Sequence, residues 1–220
     1  MKLEKYIPTS LIDYPEHIAC VVFTIGCNWN CWYCQNRPLI NQTKSMLSET
    51  EFIEFLQSRK NWLDGVVVCG GEPTLHPDLP AFISLIKSMG FDVKLDTNGS
   101  NPTMLQQLIQ SNLIDYVAMD IKSPLTKYSQ ICGVNIDITK IQQSIDILKN
   151  CNKDYEFRTT VSPDLSLQDL TDIATLIQGA KVYYLQKYIP PDTDFPVSHT
   201  MQFLQNAVEQ CNQITSTKLR

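Results

Sequence analysis

The sequence predicts an α/β protein built on a parallel sheet, and three observations carry that expectation. Short apolar runs alternate along the chain with longer amphipathic stretches. Six of these runs are each followed by a helical stretch, the order that makes neighbouring strands parallel through crossover connections. Four of the runs end in polar motifs, which gathers chemistry at one edge of the sheet, where α/β folds place their sites. An open six-unit barrel fragment and a doubly wound sheet both fit this count.

Cys20–Ile25 (CVVFTI) is the first run, rich in β-branched and aromatic residues. Gly65–Cys69 (GVVVC), Phe91–Leu95 (FDVKL), Tyr116–Met119 (YVAM), Tyr155–Val161 (YEFRTTV) and Lys181–Gln186 (KVYYLQ) repeat the pattern. Helix signals lie between them. Ser48-Glu49-Thr50-Glu51 resembles a capping box that opens a helix towards Arg59, with Phe52, Ile53, Phe55 and Leu56 on one face. Asp78–Met89 is expected to stop at Gly90, a fitting C-cap. Pro102 introduces Thr103–Gln110, and Asp137–Leu148 spaces Ile138, Ile141, Ile145 and Leu148 helically. Ser166–Gln178 and a last helix from about Ser198 complete the set. No linker or repeat divides the chain, so 1–220 is expected to be a single domain.

The 220 residues are 43% hydrophobic and 19% charged, ordinary for a globular protein with a sizeable core. Eighteen Lys and Arg against 23 Asp and Glu give a net charge of −5 without runs of like sign, which argues against nucleic-acid or anionic-membrane partners. The N-terminus has no long apolar run after its lysines, and stretches such as Ala19–Phe23 are too short to cross a bilayer. A cytoplasmic location, with reduced thiols, is the expectation. Eight cysteines then call for an explanation other than disulfides, and three of them sit close together.

Those three, Cys27, Cys31 and Cys34, have the spacing C-x3-C-x2-C within the loop 26–36. Three neighbouring thiolates can wrap one face of a soft metal centre and leave a further coordination position open. A structural zinc site normally closes with four ligands, and no His or Cys follows at such spacing. Zinc completed by a distant residue, and cysteines that bind nothing, remain the bland alternatives. Trp29, Trp32 and Tyr33 are either core aromatics or a shield that limits solvent at the metal. Of the scattered cysteines, Cys20 and Cys69 are expected to point into the core.

Gly70-Gly71-Glu72-Pro73 follows the second run; it reads as a tight turn, or as backbone that approaches a ligand beside a carboxylate able to accept from an ammonium. Asp96-Thr97-Asn98-Gly99 ends the third run and Asp120-Ile121-Lys122 the fourth. A loop, a helix cap and a surface lysine are the simple readings. Two carboxylates and a lysine at one edge also complement a zwitterionic ligand. Arg158, inside a strand, requires a partner, either a structural ion pair or a ligand. Gln186 and Tyr188 are weaker candidates, and His17, His76 and His199 have no motif around them.

The cysteine loop together with GGEP resembles the radical S-adenosylmethionine superfamily. That resemblance implies an open, partial (β/α)6 TIM-like barrel with parallel strands, one [4Fe–4S] cluster on Cys27, Cys31 and Cys34, and S-adenosylmethionine as cofactor. Reductive cleavage would then yield a 5′-deoxyadenosyl radical that abstracts a hydrogen atom. It also implies that Tyr33 lies against the adenine, that Gly70, Gly71 and Glu72 hold the methionyl amino group, and that Asp96, Asn98, Lys122 and Arg158 lie at the cofactor, with Lys122 on its carboxylate. A monovalent cation among Asp96, Thr97, Met119 (backbone) and Asp120 is a further implication.

Ser10–Pro15 (SLIDYP), Tyr116–Pro124 (YVAMDIKSP) and YEFRTTV narrow the likeness to anaerobic ribonucleoside-triphosphate reductase activating proteins. Such activating enzymes install a glycyl radical on a partner enzyme, here anaerobic ribonucleotide reductase, and take electrons from a donor such as flavodoxin or ferredoxin. Gln35 departs from the His-Asn that commonly follows the third cysteine in that group, while Asn36 agrees with it. A small-molecule enzyme such as a 7-carboxy-7-deazaguanine synthase, and a non-catalytic zinc-binding interaction module, are the competing readings.

Overall fold

Valine-rich strands flanked by amphipathic helices form the centre of one eight-stranded sheet. The computed structural model describes residues 1–190 and 192–220. The strands are β1 Leu3–Ser10, β2 Ala19–Thr24, β3 Gly65–Gly70, β4 Asp92–Thr97, β5 Tyr116–Asp120, β6 Asp154–Val161, β7 Tyr183–Lys187 and β8 Thr217–Leu219. They lie side by side in chain order. All neighbours from β2 to β8 pair in parallel, whereas β1 pairs antiparallel with β2. The sheet is open, with β1 and β8 as its two edges.

The six predicted strands correspond to β2 to β7. The two edge strands are additions, and each has a physical reason for escaping notice. β1 (LEKYIPTS) is buried only at its two ends and contains Pro8, so it reads as a charged segment. β8 spans three residues, too few for a periodic signal.

Helices α1 Glu49–Ser58, α2 Leu79–Ser88, α3 Pro102–Gln110, α4 Tyr128–Cys132, α5 Ile138–Asn150, α6 Leu167–Leu176 and α7 Met201–Asn212 fill the crossovers and the C-terminal segment. The capping box at α1 is formed: the Ser48 side chain accepts from the Glu51 amide while Glu51 accepts from the Ser48 amide. Gly90 follows α2 at φ +93, and Asn101 caps α3 ahead of Pro102. The last helix begins after the Thr200 cap, slightly beyond the expected Ser198.

Side-chain alternation gives the sheet two unlike faces. Cys20, Val22, Val66, Val68, Val93, Leu95, Val117 and Met119 pack under the helices against Phe52, Phe82, Ile86, Leu105, Leu108 and Ile145. Each fully buried aliphatic or aromatic side chain contributes roughly 1.5–3 kcal/mol, so this layer holds the fold. On the concave face a smaller plug of Tyr14, Ala19, Val21 and Val67 gives way, towards the C-terminal strand ends, to polar residues. Cys20 points into the helix-side core as expected, but Cys69 lies on the concave face and lines the cavity there, because it is one residue out of phase with Val66 and Val68.

Candidate active site

A cavity of about 410 Å³ opens at the C-terminal ends of the strands. Its wall contains the three clustered cysteines and the GGE, DTNG and DIK motifs, together with Arg158 and Gln186. The cysteine loop is held there by backbone bonds. Gly26 and Cys27 donate to the carbonyls of Leu39 and Ile40, and Asn30 donates to the Cys132 carbonyl at 2.9 Å. Behind Asn30 stands Gly133, at φ +67, where a Cβ would come within 2.7 Å of the Asn30 carbonyl oxygen. The Asn36 side chain donates to the Gly70 carbonyl, and Arg37 to that of Cys31. Gln35 donates to the carbonyl of Ile189, so its side chain bridges two loops at the cavity rim.

Cys31 is buried, and Cys27 and Cys34 are half-buried. The neighbouring Cys132 thiol and the charge of Lys122, against the cost of burial, lower the Cys31 thiol below its ordinary value. Burial pushes Cys27 up to about 11 and raises Cys34. Cys132, at the end of α4, is therefore a fourth thiol at this loop; a distance of about a hundred residues in sequence concealed it.

Gly70 and Gly71 serve the loop more than open space. A Cβ on Gly71 would lie 1.9 Å from the Gly26 carbonyl oxygen, and one on Gly70 would meet the Thr24 backbone at 2.4 Å. This close passage presents Glu72, whose amide donates to Gly26 at 2.8 Å. Its carboxylate is buried and accepts from the Thr74 hydroxyl and amide, the Thr97 hydroxyl and the Asn98 amide. Burial raises the Glu72 carboxyl, and these donors partly offset the rise. Asn98 also donates to Asn28 at 3.0 Å, joining the third motif to the cysteine loop.

A ladder of charge crosses the concave face. Lys94 pairs with Asp96, Arg158 bridges Asp96 and Asp120 at 2.8 and 2.9 Å, and Lys122 reaches Asp120 at 2.9 Å. Burial works against both carboxylates, but Arg158 with its lysine neighbours more than compensates: Asp96 is held below the usual range and Asp120 near 2. Asp120 conversely outweighs burial at Lys122 and Arg158 and keeps both protonated. The ladder thus sets three cations against two carboxylates, with Arg158 and Lys122 in the cavity wall and Lys94 behind it.

Every residue expected at the cofactor lies in the cavity wall: Tyr33, Gly70, Gly71, Glu72, Asp96, Asn98, Lys122 and Arg158. Gln186 joins them, whereas Tyr188 packs behind, edge-on to Trp32 and Tyr33. Asp96, Thr97, Met119 and Asp120 do not form one cage through their side chains. Thr97 donates to Glu72, and cationic side chains already hold the two carboxylates; the Met119 part of the expectation concerns its backbone. Lys94, Cys69, Cys132, Asp13 and Thr160 escaped sequence reasoning. The period-2 alternation of FDVKLD does place Lys94 with Asp96, and is the signal that could have found it.

The wall suits a cluster and a zwitterionic nucleoside ligand. Three soft thiols, Cys27, Cys31 and Cys34, line the same cavity. The Tyr33 hydroxyl is buried with no hydrogen-bond partner, an orphan at the cavity wall that a bound ligand would satisfy. The buried Glu72 carboxylate and the Lys122 ammonium, both in the wall, match the two charges of an α-amino acid moiety.

Comparison with known proteins agrees with this geometry. Residues 21–177 match the model of the Radical SAM superfamily. A Methanocaldococcus jannaschii protein, named by inference as a glycyl-radical enzyme activating enzyme, is 37% identical over 195 residues, 84% of this chain and 79% of its own. Among solved structures, TYW1 with a lysine-pyruvate adduct superposes with a TM-score of 0.66 at 17% identity, covering 90% of this chain and 74% of that one. A domain of the pyruvate-formate lyase-activating enzyme of Bacteroides vulgatus gives 0.57 at 18% identity, covering 71% and 98%. These two likenesses concern the fold, an open, mostly parallel sheet. Superfamily membership implies a [4Fe–4S] cluster and S-adenosylmethionine. With its three-cysteine loop and the motifs beside it, the chain belongs to the radical S-adenosylmethionine superfamily and is a radical SAM oxidoreductase.

Proposed function

We infer that this protein is a glycyl-radical-enzyme activating enzyme and that its partner is anaerobic ribonucleotide reductase, with flavodoxin or ferredoxin as electron donor. The observation that carries this reading is the 37% identity to the archaeal activating enzyme across most of both chains. The partner's identity rests on the SLIDYP, YVAMDIKSP and YEFRTTV segments.

In this reading Cys27, Cys31 and Cys34 hold the cluster. When bound, the cluster and S-adenosylmethionine supply reductive cleavage and hydrogen-atom abstraction from a glycine. The chain's own residues bind and orient. Glu72, fixed by four donors, accepts from the cofactor's ammonium. Lys122 turns from Asp120 towards the cofactor's carboxylate, and Tyr33 offers its free hydroxyl at the adenine end. Trp29 and Trp32 flank the cysteines and limit water there. The monovalent cation implied by the resemblance is left out, because Arg158 already bridges the carboxylates that would bind it.

Anaerobic mixing of reduced protein, S-adenosylmethionine and candidate glycyl radical enzymes tests this function. A glycyl radical EPR signal on the reductase is expected; cofactor cleavage that leaves every candidate without a radical would reject it. Glu72→Ala should retain the cluster and weaken cofactor binding, and an unchanged affinity would remove Glu72 from the site.

A further inference from the structure

Lys94 stands apart from the other charged residues of the ladder. Its side chain is 1% exposed, and it does not line the cavity. It sits two residues before Asp96 on β4, so both side chains emerge on the concave face, and its ammonium meets Asp96 on one side. On the other it lies 6.0 Å from the centre of the Tyr116 ring. Withdrawing an ammonium from water costs several kcal/mol, and apolar residues of similar volume avoid that cost. A lysine kept in such a place needs an electrostatic reason.

Charge counting supplies one. Arg158 is shared between Asp96 and Asp120, and Lys122 is the second cation on Asp120. Once Lys122 turns to a ligand carboxylate, Asp120 retains only Arg158. Asp96 would then draw on the same guanidinium unless a further cation were fixed to it. An ion from solution is one solution to that imbalance, and a buried lysine is another. We propose that Lys94 is a built-in counter-cation: it neutralises Asp96 in the place of a bound monovalent metal ion, and so frees Lys122 to take the cofactor's carboxylate. Lys94 acts through Asp96 and is a positioning residue. The proposal rests on S-adenosylmethionine occupying this cavity.

The test uses the cluster-loaded protein at constant ionic strength, with choline chloride replaced stepwise by KCl or NaCl. Equilibrium dialysis gives the affinity for S-adenosylmethionine. The wild type should change by less than about twofold, whereas Lys94→Ala, which opens room for an ion, should bind about tenfold more weakly in choline and recover in K⁺ or Na⁺. Lys94→Arg should stay close to the wild type in every salt. The thermal midpoint of the cluster-free protein gives a second reading, in which Lys94→Ala should be stabilised by KCl over choline and the wild type should not. A wild type that itself needs K⁺ or Na⁺ overturns the proposal without any variant. A Lys94→Ala loss that neither ion restores, or no loss at all, overturns it as well. A wild type that binds no S-adenosylmethionine in any salt would instead sink the functional reading on which it rests, and the proposal with it.

Discussion

The two ends of the strands carry similar charged residues in opposite circumstances. At the C-terminal ends, Lys94, Asp96, Arg158, Asp120 and Lys122 form a continuous chain with little exposure. At the N-terminal ends, His17 and Lys87 meet Asp92 and Asp115, with Asp92 half exposed. Lys87 lies 2.6 Å from Asp115, and His17 lies 3.3 Å from Asp92. Contact distance alone therefore does not separate the ends. Water separates them in part. Lys94, Arg158 and Asp96 are well covered and cannot lose a partner without stranding a charge. Asp92 is open to screening, and Lys87–Asp115 is covered about as well as Lys122–Asp120. The lower end ties strand starts to loops, as where Asp115 also accepts from the Val93 amide. The upper end sets Asp96, Arg158, Asp120 and Lys122 in the wall of a cavity, which a fold alone does not require.

The largest test of this contrast is removal of the shared partner. Arg158→Leu leaves Asp96 and Asp120 dependent on lysines alone and should cost about 3–5 kcal/mol in urea denaturation. A loss of the size expected for a surface pair would show that the ladder is well hydrated. Acid titration should follow. Asp120 is held near 2, below the ~3.9 of an unfolded aspartate, so its ionisation stabilises the fold above about pH 4. That contribution is lost as pH falls from about 4 towards 2, and Asp120→Asn should flatten this part of the stability curve.

Effects at the lower end should be smaller. Lys87→Ala is expected to cost less than about 1 kcal/mol, and still less in high salt. The sign is reversed at His17. Burial lowers its pKa, but the Pro15 carbonyl and Asp92 outweigh burial and raise it. Its protonated form thus stabilises the fold below the ~6.5 of a free histidine, and the contribution disappears as pH rises through the raised value. His17→Gln should remove that slight decline in thermal midpoint near neutral pH; an unchanged profile would mean that the Asp92 contact is idle.

The parts legible in the sequence were those that repeat a local rule. GVVVC and CVVFT are apolar without interruption because both of their faces are covered, and Ser48 and Glu51 sit at fixed capping positions. The motifs were legible because each ends a strand. Lys94 was not, since a lysine in FDVKL looks like a solvent-facing residue until the concave face is known to be enclosed. Cys132 was hidden for another reason: tertiary contacts (the Asn30–Cys132 backbone bond, Trp29 edge-on to Tyr128, and Gly133 packed against Asn30) bring α4 to the cysteine loop. The purpose assigned to Gly71 also changed, because its missing Cβ makes room for the Gly26 carbonyl.

Anaerobic reconstitution with iron and sulfide, followed by EPR of the reduced protein with and without S-adenosylmethionine, decides whether Cys27, Cys31 and Cys34 hold a cluster that binds the cofactor. A brown protein with about four irons and four sulfides per chain is expected, with a spectrum that shifts when the cofactor is added and with Cys31→Ala losing both. A colourless protein that retains one zinc, or a cluster whose spectrum ignores the cofactor, would contradict that assignment.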